Sequence, residues 1–373
     1  MSTLRTLKIF ALATLAVWLV GCSDDTTKPP PPPQPPQLVY STVKNLPNND
    51  VYDIFVDSKG RQWFCTDSGV GMALKNNATF VETRYNSFDG VPNIKCRATA
   101  ELNGKIFIGT WGGGIGVGDS LAINYPNSGE PDPNRPDSTL WQVLNEEDGL
   151  IANRVFSLAV DDSSVWIATA AGVSQYIDDD SRPMEDRWID HSDLGPNVVT
   201  QILVAKTRTR GTEVWMAEKL RDEGGTLVPG GIRVRGFPGY QHYTTESSGI
   251  PSDNCNGITY DSINDLFLSA HATHGAATVD VDTRVWNYFN KASGAVSDLG
   301  SSIGINLRDT YWPQGTRWFA TQAGLSRVLP DGTITNYVQG SGMPSINVRK
   351  VYIDPGDHVW LAFVEAGAVR VKP

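Results

Sequence analysis

The chain has 373 residues with 41 acidic and 31 basic side chains, and its formal net charge is −10 at pH 7. This acidic balance argues against nucleic acid or an anionic membrane surface as a partner, because both repel a negatively charged protein. The chain is also longer than one hydrophobic core normally supports, so it needs either several domains or a repeat architecture.

Residues 1–21 are predicted to be a secretory signal peptide. Arg5 and Lys8 precede an unbroken apolar run at residues 9–20, which is too short to cross a bilayer as a helix. The run ends at Leu19-Val20-Gly21-Cys22, which resembles the lipobox at which bacterial lipoproteins are cut and acylated. We therefore expect a lipid on Cys22 that holds the protein on a membrane of the bacterial cell envelope. An ordinary signal peptide with an incidental cysteine is the alternative, and the membrane leaflet stays open.

Residues 22–37 are predicted to be a spacer between the lipid and the folded domain. Residues 29–36 are proline throughout except for Gln34. Such a segment forms neither helix nor sheet and adopts the extended polyproline II conformation. A ligand for a proline-recognition domain is the alternative to a spacer.

A short strand-like segment recurs seven times in residues 38–373. Each copy is an aromatic residue followed by an apolar residue, a small residue and often threonine, and the copies lie about 42–59 residues apart. That spacing is typical of β-propeller blades. The copies begin at Trp63, Phe107, Trp166, Trp215, Phe267, Trp318 and Trp360.

Each copy has the neighbours of a four-stranded blade. An alternating strand such as residues 51–56 precedes it, and the turn Asp57-Ser58-Lys59-Gly60 joins the two. A glycine such as Gly69 opens a third strand, and a fourth follows at residues 80–85. Four strands per repeat predict an all-β fold, a seven-bladed β-propeller that spans residues 38–373.

The ends of the domain predict how the ring closes. The last repeat lacks a fourth strand, and residues 37–42 have the composition of one. Pairing the two removes an open sheet edge that favours aggregation. We therefore expect the N-terminal strand on the outer edge of the last blade.

The repeat also resembles a known family. The order Leu-Pro-x-Asn, apolar strand, Asp-x-x-Gly, Trp-apolar-small-Thr and Gly-Leu/Val is similar to the two-component regulator propeller repeat. That repeat occurs in periplasmic sensor regions of hybrid histidine kinases and in free-standing secreted proteins. The resemblance covers nearly all of residues 38–373 and is strongest in the blades of Trp63, Trp166, Trp318 and Trp360. It implies a sensor-like binding domain that does not signal by itself.

The remaining cysteines and a search for known motifs indicate no particular catalytic or metal-binding chemistry. Cys65, Cys96 and Cys255 lie on predicted strands and are interpreted as buried small apolar residues, with a Cys65–Cys96 disulfide as the alternative. There is no Cys-x-x-Cys, His-Glu-x-x-His, phosphate-binding glycine loop, Gly-x-Ser-x-Gly or calcium loop. We predict no catalytic residue, no metal site and no cofactor.

Three loops between second and third strands depart from the minimal pattern of the others and predict a ligand site at one mouth of the propeller channel. An aromatic residue beside polar groups suits a carbohydrate or a peptide. The alternative interpretation is that the loop around Trp111 is a flexible segment and that the two histidines are solvated loop residues. The candidate ligand-binding residues are Trp111, Arg221, Asp222, Glu223, His271, His274 and Glu365.

Two classes of function stay open. The first is a lipid-anchored, monomeric binding module for a glycan, peptide or protein. The second is a metal-dependent lyase or hydrolase, by analogy with seven-bladed lyases that hold a metal, a His and a Glu in the channel mouth. Its candidate residues are His271, His274 and either Glu365 or Glu223.

Overall fold

Apolar and polar residues alternate along each repeat, and each repeat folds into a four-stranded antiparallel sheet. The computed structural model describes residues 37–120, 141–191, 194, 197–236 and 239–373. The predicted signal peptide, Cys22 and the spacer up to residue 36 lie outside the described residues. Seven such sheets make the predicted seven-bladed β-propeller, so the fold prediction is confirmed.

The strands follow one another from the inner to the outer edge of each blade. Blades one to three consist of β2 Val51–Val56, β3 Gln62–Thr66, β4 Gly69–Ala73 and β5 Val81–Tyr85; β6 Cys96–Leu102, β7 Lys105–Thr110, β8 Ile115–Asp119 and β9 Gln142–Leu144; β10 Val155–Val160, β11 Ser164–Thr169, β12 Gly172–Ile177 and β13 Trp188–Asp190.

Blade four contains an additional hairpin, β16 Arg221–Glu223 and β17 Thr226–Val228, between its second and third strands. Blades four to six consist of β14 Val199–Thr207, β15 Gly211–Glu218, β18 Gly231–Gly236 and β19 Gly239–Tyr243; β20 Cys255–Asp261, β21 Leu266–His271, β22 Ala276–Asp280 and β23 Trp286–Phe289; β24 Gly300–Ile305, β25 Arg317–Thr321, β26 Gly324–Val328 and β27 Ile334–Tyr337.

The seventh blade closes the ring as predicted. It consists of β28 Val348–Ile353, β29 Val359–Phe363, β30 Ala368–Lys372 and the N-terminal strand β1 Val39–Thr42. β1 runs antiparallel to β30, with Val39 opposite Lys372. The strand begins two residues later than the sequence predicts, and it covers the edge that β30 would otherwise expose.

Helix in the described residues is confined to connections between strands. The one α-helical turn is α1, Thr245–Ser248. The 3-10 turns are Lys75–Asn77, Ser87–Asp89, Glu146–Asp148, Met184–Arg187 and Lys291–Ser293. In this part of the chain no helix is long and apolar enough to span a membrane.

The aromatic residue of the repeat is the core of each blade. Trp63 and Trp360 are fully buried between neighbouring sheets. The indole Nε1 of Trp63 donates to Asp57 Oδ2 at 2.9 Å, and that of Trp360 donates to Asp354 Oδ2 at 2.9 Å. The aspartate that closes the first hairpin of a blade therefore also satisfies the buried indole N–H.

The three described cysteines are buried free thiols, and no disulfide joins Cys65 to Cys96. Cys65 Sγ instead lies 3.0 Å from Thr99 Oγ1. Burial raises the pKa of Cys96 and of Cys255 to about 12. Both therefore stay neutral at physiological pH and pack as small apolar side chains.

Candidate functional site at the mouth of the channel

The innermost strands of the seven blades enclose a central cavity of about 980 Å³. All seven strands begin at the same end of this cavity, which we call the mouth. In blades two to seven, the loop between the second and third strands donates a backbone hydrogen bond to the residue just before the innermost strand. For example, Trp111 N lies 2.8 Å from Lys95 O and Lys219 N lies 3.1 Å from Val198 O. These loops therefore lie around the mouth.

A β-bulge occupies the second position of every innermost strand. The pairing register skips one residue between Val51 and Asp53 in β2, and it skips at the same position in the other six strands. A bulge leaves one residue unpaired in the ladder and re-aims its side chain. The seven skipped residues are half-buried and line the cavity, and we call them the bulge ring: Tyr52, Arg97, Phe156, Thr200, Asn256, Ser301 and Arg349.

The bulge ring has two chemically different halves. Blades seven, one, two and three supply the large residues Arg349, Tyr52, Arg97 and Phe156, which we call the basic-aromatic arc. Blades four to six supply the small polar arc, Thr200, Asn256 and Ser301. Thr200 Oγ1 donates to Cys255 O at 2.9 Å, and Asn256 Nδ2 donates to Gly300 O at 2.8 Å. Because these small side chains are tied back to the backbone, they leave room opposite the larger arc.

Guanidinium groups and aromatic rings alternate along the basic-aromatic arc. The Cζ atoms of Arg349 and Arg97 lie 3.8 Å and 3.5 Å from the ring centroid of Tyr52. Arg97 Cζ is also 4.9 Å from the ring centroid of Trp111, and Arg154 Cζ is 4.6 Å from it. We call the series Arg349, Tyr52, Arg97, Trp111 and Arg154 the arginine ladder. Each contact of this kind stabilises by about 0.5–2 kcal/mol, so the ladder holds three cations in fixed positions.

Two carboxylates hold one end of the arginine ladder. Arg97 Nη2 donates to Asp67 Oδ1 at 2.8 Å, and Arg349 forms an ion pair with Asp50. The Tyr52 hydroxyl donates to Asp50 Oδ2 at 3.0 Å. Arg154 is exposed, and no ion pair joins it to a carboxylate within the described residues. The far end of the ladder therefore presents a positive charge to solvent.

Trp111, predicted as a platform for a ligand, lies inside the arginine ladder and lines the cavity. Its ring meets the ring of Phe156 edge-on, with the centroids 5.2 Å apart. The backbone after it is hydrogen-bonded in place, since Gly112 N and Gly114 N donate to Asn153 O at 3.1 Å and 2.9 Å. The segment is a defined loop, and a ligand contact at Trp111 stays a prediction.

The predicted residues Arg221, Asp222 and Glu223 lie on the β16–β17 hairpin. Arg221 forms an ion pair with Glu223, and Asp222 Oδ1 accepts from Gly225 N at 2.7 Å. These contacts hold the hairpin itself. The described wall of the cavity includes Lys219, at the base of this loop, but none of these three residues.

His271 is not on the rim, so the predicted exposure of this histidine is wrong. It is the last residue of β21 and is fully buried. Its Nδ1 lies 2.9 Å from Ser252 O and its Nε2 lies 3.0 Å from Ser269 Oγ. Burial lowers the pKa of His271 to about 4, which keeps the imidazole neutral at physiological pH. The strand continues one residue beyond the sequence motif, and this turns the side chain into the blade.

His274 and Glu365 are exposed residues with φ angles of 69° and 58° in two loops at the mouth. His274 Nδ1 lies 3.0 Å from Thr273 Oγ1. In the part of the chain that the structure describes, no three His, Cys, Asp or Glu side chains lie close enough to hold a metal ion. The structure therefore does not bring His271, His274 and either Glu365 or Glu223 together as the ligands that a metal-dependent enzyme needs.

Reasoning from the sequence missed Tyr52, Arg97, Arg154 and Arg349. Tyr52, Arg97 and Arg349 each follow the buried residue that begins an innermost strand. Aligning the seven repeats on that buried residue would have brought the bulge ring into one column. No residue type marks the bulge in the sequence, since its seven positions hold six different residue types.

Comparison with known proteins supports the fold. No protein-family model matches the chain, and curated proteins give no significant match. The extracellular domain of a protein described as the hybrid two component system BT3049, from B. thetaiotaomicron, has a TM-score of 0.62 at 14% identity over 87% of this chain and 40% of that chain. The corresponding domain of BT4673 from the same organism has a TM-score of 0.57 at 14% identity over 90% and 39%.

A third similar structure is an enzyme. Catalytically inactive virginiamycin B lyase from Staphylococcus aureus, with quinupristin, has a TM-score of 0.59 at 12% identity over 90% of this chain and 99% of that chain. At these identities the likenesses establish the shared fold. The chain spans about two fifths of the length of the two sensor domains.

Proposed function

We propose that the protein is a lipid-anchored, extracytoplasmic binding module that takes a glycan or a peptide at the mouth of its propeller. The bulge ring is the observation that carries this proposal. Every innermost strand bends at the same position and turns one half-buried side chain toward the mouth. Bulges are over-represented next to active sites, where they re-aim a side chain.

The shape and chemistry of the mouth support binding of a small ligand. A cavity of about 980 Å³ lies at the upper end of the range of roughly 300–1,000 Å³ that small-molecule sites occupy. The basic-aromatic arc and the small polar arc face each other across it. No metal-ligand set in the described residues supports the lyase or hydrolase alternative, so binding is the function that the geometry supports best.

The cellular location in this proposal depends on Cys22. Acylation after removal of residues 1–21 places the domain on a membrane of the bacterial cell envelope. The likeness to extracellular sensor domains supports this side of the membrane. We expect the wild-type protein to partition into the detergent phase of Triton X-114, and Cys22→Ala to shift it to the aqueous phase. Unchanged partitioning of Cys22→Ala would refute the lipid anchor.

The binding function is tested with the purified full chain in detergent. We expect it to bind members of an array of oligosaccharides and short peptides, and we expect a bound member to raise its melting temperature by mass action. Arrays that contain acidic and neutral members of equal length serve as internal controls. Failure to bind any glycan or peptide would contradict the proposed function.

A further inference from the structure

The arginine ladder places guanidinium groups against the rings of Tyr52 and Trp111 at the mouth. β6 and β28 belong to the two blades next to β2 in the ring and both contact β2, so Arg97 and Arg349 reach the Tyr52 ring from opposite sides. Along the ring of blades, Arg97 lies between Tyr52 and Trp111, and Arg154 lies on the blade-three side of Trp111. A ligand that reaches Tyr52 or Trp111 therefore also meets the guanidinium groups packed against these rings.

Positive groups without an ion pair at the mouth favour a negative ligand. The six charged residues of the cavity wall comprise four basic and two acidic ones: Arg97, Lys219, Arg349, Lys350, Asp53 and Glu101. Carboxylates pair with three of the basic residues, Asp67 with Arg97, Asp50 with Arg349 and Asp53 with Lys350. Among the described residues, the positive groups at the mouth without an ion pair therefore include Lys219 and Arg154. Positive groups that no carboxylate neutralises attract an anionic ligand, and the formal charge of −10 on the chain confines this attraction to the mouth.

Two guanidinium donors at the mouth lack an acceptor. The side chain of Arg97 is only 9% exposed. The Nε atoms of Arg97 and Arg349 are both buried, and neither has a hydrogen-bond partner among the described residues. A buried donor without an acceptor is unfavourable, and charge-assisted bonds to oxyanions are the strong ones for arginine.

We infer that the ligand carries an oxyanion, a carboxylate or a sulfate ester on an oligosaccharide, which lies against Arg97 and Arg154. Sugar hydroxyls then face the small polar arc, where Thr200 Oγ1 and Asn256 Oδ1 can accept hydrogen bonds and the Ser301 hydroxyl can donate and accept. In this arrangement Trp111 positions the two guanidinium groups and is not a stacking platform. The inference rests on the proposed function and specifies its ligand class.

The array distinguishes the outcomes. We expect bound members to be acidic oligosaccharides, and carboxylated and sulfated members in separate rows identify which oxyanion is used. Binding only to neutral glycans would overturn the oxyanion and leave the proposed function standing. Binding only to acidic peptides would overturn the sugar. Binding to nothing would remove the proposed function as well.

Calorimetry then measures the contribution of charge. We compare the acidic array member that binds most tightly with its neutral counterpart. Trigalacturonate and its trimethyl ester are measured as a reference pair. The acidic form of the array pair should bind at least about tenfold more tightly, the scale of one lost charge-assisted contact. Its affinity should fall as NaCl rises from about 0.05 M to about 0.5 M. Equal affinity of the acidic and neutral forms would contradict the inference.

Arg154→Gln tests the site directly. Arg154 is exposed and has no carboxylate partner in the described residues, so its replacement removes only its contact with Trp111 and should lower the melting temperature by no more than a few degrees. We expect at least about tenfold weaker binding of the acidic member and a smaller dependence on salt. Arg308→Gln, on an exposed connection at the opposite end of blade six, is the matched control. Wild-type affinity in folded Arg154→Gln would overturn the assignment.

Discussion

Single carboxylates hold both the first hairpin and the buried tryptophan of a blade. Asp354 accepts from Trp360 Nε1 at 2.9 Å and from the backbone N–H of His358 at 3.0 Å. Burial raises the pKa of Asp354, but hydrogen bonds from His358 and Trp360 outweigh it, and the pKa lies below its ordinary value. The ionised form of Asp354 therefore stabilises the folded state.

Removing this carboxylate should reduce stability in a pH-dependent way. Asp354→Ala leaves the buried Trp360 N–H without a partner, which costs about 1–3 kcal/mol of the free energy of unfolding at neutral pH. Because the folded pKa is lowered, this stabilisation is present above the unfolded pKa and is lost as the pH falls through the folded pKa.

Urea unfolding at about pH 7 and about pH 2 measures this effect, since the second pH lies below the ordinary aspartate pKa of about 3.9. We expect the difference between the wild type and Asp354→Ala to narrow in acid. Asp309→Ala, on an exposed connection, should match the wild type at both pH values. A difference of the same size at both pH values would show that the carboxylate charge contributes nothing.

Residue-scale predictions from the sequence succeeded where residue type determines the environment. The repeat's tryptophans were predictable as core because blade faces must bury against each other. His271 was not, because its burial depends on where β21 ends, and a histidine is compatible with either environment. The partnership of Asp354 with Trp360 depends on hairpin geometry that the spacing alone does not contain.

At the scale of elements, the sequence predicts strands better than their irregularities. β1 could be predicted because the last repeat lacks a strand and residues 37–42 supply its composition. The bulges could not, because a bulge is one extra residue in a backbone ladder and accepts any side chain. The bulge ring accordingly contains tyrosine, arginine, phenylalanine, threonine, asparagine and serine. The β16–β17 hairpin was likewise expected only as a long loop.

The number of blades can be predicted by counting the repeats in the sequence, but the binding site cannot. Each blade buries its faces only against its neighbours, so seven copies of one motif are enough to predict seven blades. The site needs side chains from blades seven, one, two and three that are far apart in sequence and meet only once the ring is closed. Ion pairs of Arg349 with Asp50 and of Lys350 with Asp53 join the last blade to the first at this position. Ring closure therefore also assembles the arginine ladder.

Blocking the mouth tests most directly whether it is the binding site. Ser301→Trp places an indole in the small polar arc, opposite the basic-aromatic arc. Asp309→Trp, on the exposed connection between β24 and β25 at the other end of the same blade, is the matched control. We expect Ser301→Trp to bind the tightest array member at least about tenfold more weakly, with a melting temperature close to that of the wild type, and Asp309→Trp to bind normally. Wild-type affinity in a folded Ser301→Trp protein would contradict binding at the mouth.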